Sequence, residues 1–161
     1  MTAAAHTPLL SNYLAGRWQD GDGHSTTLHD PVLGTPLVRV SSAGLDLAEG
    51  FHFARETGGN ALRALTYRQR ATLLGEVVKV LQANRDAYYE IATANCGTTK
   101  NDSAVDIDGG IFTLGYYAKQ GEALGDARCL LDGERIRMGK DPVFQTQHVL
   151  NPTRGVALFI N

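Results

Sequence analysis

The sequence predicts an α/β fold, and three observations carry that prediction. Short paired strand patterns fill the first forty residues, helical periodicity runs from about residue 45 to 119, and Val156-Ala157-Leu158-Phe159-Ile160 is continuously apolar. A run of that last kind, without polar alternation, suits a strand buried on both faces, as in a parallel sheet. The length of 161 residues suits one domain or a piece of a larger one. With 43% hydrophobic residues, wholesale disorder is excluded. Fifteen basic and 17 acidic residues leave a net charge of −2 with no Lys/Arg cluster, so no nucleic-acid partner is expected.

The first elements are hairpins. Asn12-Tyr13-Leu14 and Arg17-Trp18-Gln19 flank Ala15-Gly16, and Ser25 to His29 pairs with Pro36 to Val40 around the Pro/Gly turn Asp30 to Gly34. Such short ribbons need a surface to lie on. Asp46, with Glu49 three residues on, starts a helix carrying Leu47, Phe51 and Ala54 on one face and stopping at Gly58-Gly59.

Thr66 with Gln69 is a stronger capping box, opening a helix whose stripe is Ala71, Leu74, Val78 and Leu81. Asn84 is placed to cap the next helix, with Tyr88, Ile91 and Ala92 inward and Gly97 as its end. A fourth helix spans about 102–119 with the stripe Ala104, Ile107, Ile111, Leu114 and Ala118. The pattern then weakens over the Gly/Asp-rich residues 125–139, before extended runs at 144–150 and 155–160.

The fourth helix contains Gly109, Gly110 and Gly115, which together weaken a lone helix by about 2–3 kcal/mol. Either another helix packs closely there or space is needed beside it for a ligand; Gly109 lies off the apolar stripe. Cys96 reads as a small buried hydrophobe, because only Lys100 stands near it in sequence to lower its pKa. Two cysteines make neither a disulfide framework nor a four-ligand zinc site, and the five histidines have no ligand spacing, so no metal is expected. Gly21-Asp22-Gly23 is a turn and not a dinucleotide fingerprint, because Thr26 stands at the third glycine position. Asp106-Ile107-Asp108-Gly109 fails the spacing of a calcium loop. No apolar run reaches the roughly 18 residues of a membrane span, and residues 1–10 lack the basic and apolar regions of a secretory signal. The expected location is cytoplasmic, with no membrane partner.

The apolar run at 156–160 has no evident partner strand in the preceding sequence, so truncation is the expectation. An antiparallel pairing of 155–160 with 144–150 is the alternative. A second reading of the whole chain is a self-standing, non-catalytic helical module with a β ribbon, serving binding or assembly.

Several strings together resemble the aldehyde dehydrogenase superfamily. They are Asn12 to Trp18, Asp30-Pro31 with Gly34, the helix holding Ala71 to Leu81, Tyr116-Tyr117-Ala118, and Pro152 to Ile160. Residues 41–46, 61–66 and 105–114 are similar to the branch acting on coenzyme A-linked semialdehydes in aerobic aromatic breakdown. The resemblance implies the N-terminal part of that fold. Residues 1–8 would be disordered, 9–140 the ribbon and helical layer, 141–154 an oligomerisation ribbon, and 155–161 the first strand of the dinucleotide-binding sheet.

It also implies NADP, or NAD, as cofactor, a homo-oligomer, and a small CoA-linked aldehyde as substrate. By the same resemblance, Phe159, Ile160 and Asn161 fall at the cofactor groove, and Gly109, Gly110 and Thr113 fall on the substrate tunnel. Gly109 stands where simpler members of the family carry a bulky residue. In complete members a Cys thiolate attacks the aldehyde, hydride passes to the nicotinamide, and the thioester is hydrolysed. The positions of that Cys and of the general-base Glu fall beyond residue 161, so no catalytic residue is assigned in this chain.

Overall fold

Asn12–Leu14 (β1) and Arg17–Gln19 (β2) form the expected hairpin, in the register Tyr13 opposite Trp18. The two-residue turn has positive φ at both Ala15 (50°) and Gly16 (81°), the geometry that matches the twist of a tight hairpin. The structure is a computed structural model and describes residues 7–160. Thr26–His29 (β3) pairs antiparallel with Pro36–Val40 (β4), with an irregularity between Leu28 and His29. The Asp30 carboxylate accepts from the amides of Val32 (2.7 Å) and Leu33 (2.8 Å) and so folds the intervening turn. Residues 7 and 8, expected to be disordered, are tied down. Arg39 donates its backbone amide to the Pro8 carbonyl at 2.7 Å and its Nε to that of Thr7 at 3.1 Å. The rest of that expected segment, residues 1–6, lies outside the described residues.

Leu47–His52 (α1) begins as predicted, the Asp46 carboxylate accepting from the Glu49 amide at 2.8 Å. Its inward residue is Gly50, against which Leu14 of the hairpin packs; a Cβ there would collide with that side chain. Leu47 and Phe51, expected to be inward, are half exposed because the hairpin seats on the glycine between them. The helix also passes through Gly58-Gly59 where a stop was expected. A π-helical segment, Phe53–Gly58, hands over to Gly59–Ala64 (α2), and chain direction changes only at Leu65, which is extended. Gly59 has helical dihedrals and donates to the carbonyl of Ala54, five residues back, so the wider turn continues the ladder.

Tyr67–Ala83 (α3) opens with the full capping box. Thr66 Oγ1 accepts from the Gln69 amide, and Gln69 Oε1 accepts from the Thr66 amide at 2.9 Å. Arg85–Cys96 (α4) follows and ends at Gly97 in the left-handed conformation, as read from sequence. Asn84 does not cap it, because its side-chain amide donates backward to the Val80 carbonyl at 2.8 Å. Within α4 the buried residue is Tyr89, and Ile91, expected inward, is 63% exposed. Lys100–Ala123 (α5) is longer than predicted, with Thr99 as its cap.

The core lies where α3 and α4 meet α5: Ala71, Tyr89, Ser103 and Ile111 are buried. The expected stripes of α3 and α5 both face this seam. At its tightest point a Cβ on Gly121 would stand 3.1 Å from the Ala71 Cβ. Chain leaving α5 returns to the start of α3, where the Ala127 and Gly125 carbonyls accept from the first-turn amides of Tyr67 and Arg68.

Leu130–Arg137 (β5) pairs antiparallel with Gln145–Leu150 (β6). Gly133 sits at positive φ (75°) where the register shifts, which is why this strand reads as a loop in sequence. The partner of the 144–150 run is therefore β5, and not residues 155–160. Those last residues form no hydrogen-bonded strand among the described residues, and Leu158, Phe159 and Ile160 are 70, 82 and 88% exposed. A strand needs a neighbour to complete its ladder, and none of the six strands found among the described residues pairs with this run.

The accessible surface of the chain is 12410 Å². A compact 17.3 kDa monomer would expose about 7,800 Å². The exposed surface includes apolar residues such as Val105 and Phe112 on α5 and Leu131 and Ile136 on β5.

Candidate functional site

Gly109, Gly110 and Thr113 occupy one exposed stretch of α5. Among the described residues, nothing outside the helix's own backbone lies within 4 Å of where a Cβ would stand on Gly109, Gly110 or Gly115, so no second helix of that set packs on any of these glycines. Close helix packing by a glycine occurs instead at Gly121, which sequence reasoning missed. Thr113 donates its hydroxyl to the Gly109 carbonyl at 2.8 Å, holding its side chain along the helix. The result is a bare wall flanked by Phe112, 74% exposed. The wall's own residues are two glycines and a hydroxyl whose proton is already donated, which suits shape selection and not proton transfer.

Behind this wall, Asp108 is clamped. Tyr89 Oη donates to Asp108 Oδ1 at 2.7 Å, and Arg85 Nη1 lies 3.7 Å from the same oxygen. Burial of the Tyr89 ring, and then its bond to Asp108, raise the phenol pKa above its usual 10.0, against the lowering effect of Arg85. The clamp fixes the rotation of α5 one residue before Gly109.

Phe159 and Ile160, expected at a cofactor groove, project from the exposed closing run; Asn161 lies outside the described residues. No strand leading through a glycine-rich turn to a helix N-terminus occurs among the described residues, so they do not by themselves form a dinucleotide cradle. Neither predicted group lines the cleft beside α4. That cleft, about 680 Å³, lies between the Asp30 to Leu33 turn and α4 with the start of α5. It exists because Pro31 and Val32 pack on the α4 terminus, both 3.1 Å from where a Gly97 Cβ would stand. Cys96 is exposed, correcting its expected burial, as it sits in the last turn of α4 away from the α5 seam. Among the described residues no group of three His, Cys, Asp or Glu is gathered to hold a metal ion, and no helix is long and apolar enough to cross a membrane.

The sequence model of the aldehyde dehydrogenase family matches residues 18–160. The chain belongs to the aldehyde dehydrogenase family. Its members are oxidoreductases, and the fold described above is the N-terminal α/β part of theirs. The chain is 49% identical over 152 residues to 3,4-dehydroadipyl-CoA semialdehyde dehydrogenase of Aromatoleum evansii, covering 94% of this chain and 30% of that protein. It therefore spans about a third of the length of that relative.

Two solved structures share the fold. An NADP-dependent enzyme of E. coli superposes with a TM-score of 0.66 at 22% identity, over 83% of this chain and 26% of its own. A betaine aldehyde dehydrogenase of Staphylococcus aureus, in complex with NAD+, superposes with a TM-score of 0.64 at 19% identity, again over 83% and 26%. These neighbours use NAD in one case and NADP in the other.

Proposed function

We propose that these residues form the N-terminal third of an NAD(P)-dependent aldehyde dehydrogenase that oxidises a coenzyme A-linked semialdehyde to the acid, as in aerobic aromatic degradation. The observation that carries this reading is the 49% identity to the Aromatoleum evansii enzyme along nearly the whole chain. The excess surface supports it physically. A chain exposing 12410 Å², with apolar faces on α5 and β5, has surfaces made for further protein. That same excess weighs against the self-standing module.

In this reading the chain alone is inactive, because the nucleophilic Cys, the general-base Glu and the cofactor's glycine-rich turn are supplied by sequence outside it. Phe159, Ile160 and Asn161 edge the cofactor groove, with NADP as the preferred cofactor, and 155–161 opens the dinucleotide-binding sheet. Gly109, Gly110 and Thr113 line the substrate entrance, the missing side chains leaving room for a thioester-bearing substrate. Residues 141–154 belong to a ribbon joining subunits of a cytoplasmic homo-oligomer.

The test compares dehydrogenase activity of the 161-residue chain with that of a longer reading frame carrying the rest of the family sequence. The CoA-linked semialdehyde is supplied with NADP or NAD. Activity is expected only in the longer protein, and turnover by the short chain would overturn the proposal. In the longer protein, Gly109→Met should depress turnover of the CoA-linked substrate far more than that of a small aldehyde; equal losses would remove Gly109 from the entrance.

A further inference from the structure

A second cleft, about 380 Å³, lies where the segment leaving β6 runs past α2 and the start of α3. Leu62, Arg63, Tyr67, Arg70, Asn151 and Thr153 are among the residues that line it. It holds two arginines and no carboxylate, and among the described residues neither arginine has an acidic partner within salt-bridge distance. This contrasts with the neighbouring Arg68, which pairs with Asp126 at 3.2 Å.

Both guanidinium groups are held in place from one side. Arg70 Nη1 donates to the carbonyls of Leu62 (3.2 Å) and Leu65 (2.9 Å), and its plane lies 4.6 Å from the Tyr67 ring centre. Arg63 Nη2 donates to Asn60 Oδ1. Each guanidinium carries five N–H donors, so both keep donors free after these bonds, already oriented. The first amides of α3 are consumed by Ala127, Gly125 and the Thr66 cap, which leaves the arginines as the cleft's anion-binding groups.

We infer that the Arg63–Arg70 cleft binds a phosphate group of the coenzyme A portion of the substrate. Paired arginine forks match phosphate oxygens bidentately, and the cleft is far roomier than a bare carboxylate needs. Tyr67, Leu62 and Pro152 give the attached sugar an apolar wall. The coenzyme A assignment rests on the proposed substrate class, whereas the phosphate site rests on the cleft alone.

Calorimetric titration of the 161-residue chain at constant ionic strength tests both. The probes are inorganic phosphate, coenzyme A, dephospho-coenzyme A and NADP. Coenzyme A is expected to bind, inorganic phosphate to compete with it, and Arg63→Gln to weaken binding by about tenfold or more, as loss of one charge-assisted bond implies. Thr153→Asp, which sets a carboxylate into the cleft and leaves both arginines intact, should abolish binding while the circular dichroism of the chain is unchanged. No phosphate binding by the wild-type chain, or equal binding by wild type and both variants, overturns the site. Phosphate binding that the variants abolish, but with NADP preferred over coenzyme A, upholds the cleft and overturns the coenzyme A assignment.

Discussion

Tyr89 on α4 donates a hydrogen bond from its phenol to Asp108 on α5 across 2.7 Å, immediately beside the Gly109 wall. The bond needs the phenol protonated, and its environment raises the Tyr89 pKa above 10.0, burial being the largest cause. The folded state therefore holds this proton more tightly than the unfolded one. The resulting stabilisation is fully present below the unfolded value of about 10 and is lost as pH rises through the higher folded value. Titrating phenolate absorbance in the folded chain should show one tyrosine ionising later than an ordinary phenol. Tyr89→Phe should remove that late component and lower the melting temperature at pH 7, with the difference between the two proteins closing in strong alkali.

The glycines of α5 separate packing from exposure. Gly121→Val forces a branched side chain into the 3.1 Å gap at Ala71 and should destabilise by about 1–3 kcal/mol. Gly115→Ala meets nothing within 4 Å and should stabilise by up to about 1 kcal/mol through helix propensity alone. Thermal melts of the two variants should move in opposite directions, and a loss at Gly115 would mean that α5 is packed differently from this structure.

That contrast shows where sequence was readable. Most local signals survived: the Thr66–Gln69 box, the Asp46 cap, the Gly97 stop and the Ala71 and Ile111 stripes all stand where the sequence put them, while the Asn84 cap was lost to the Val80 carbonyl four residues back. The other failures turned on a wider helical turn or on partners distant in sequence. Gly58-Gly59 is a helix stop by composition, yet π-type hydrogen bonding carries the chain through it. β5 is hidden because Gly133, at the register shift, interrupts its alternation. Leu47 and Phe51 form an apolar face that the β1–β2 hairpin ignores in favour of Gly50. The candidate wall at Gly109 was visible as three costly glycines, but the Arg63–Arg70 cleft was not. It joins α2 and α3 to a segment more than 80 residues later, and no local spacing records that meeting.

The capping box gives the most direct check on a local signal. Thr66→Ala removes the acceptor for the Gln69 amide and should cost about 1 kcal/mol. Thr66→Ser keeps a hydroxyl there and should retain most of it. Because the Ala127 and Gly125 carbonyls hold the adjacent amides, α3 should stay helical by circular dichroism, the loss showing in the melting midpoint alone.

The β1–β2 turn stores strain at a residue that is not glycine. Ala15 sits at φ 50°, where an L side chain with a Cβ crowds its own carbonyl, at a cost of about 1–2 kcal/mol. Asparagine tolerates that region better and is the favoured first residue of such turns. Ala15→Asn should therefore slow amide exchange across β1 and β2 without altering any packing contact. Gly16→Ala should do the reverse, since it adds a Cβ at φ 81° and places it 3.3 Å from the Phe53 ring. Faster exchange in Ala15→Asn would show that the turn adopts another geometry in solution. In that case the seating of Leu14 on Gly50, which this turn aims, would have to be rebuilt with it.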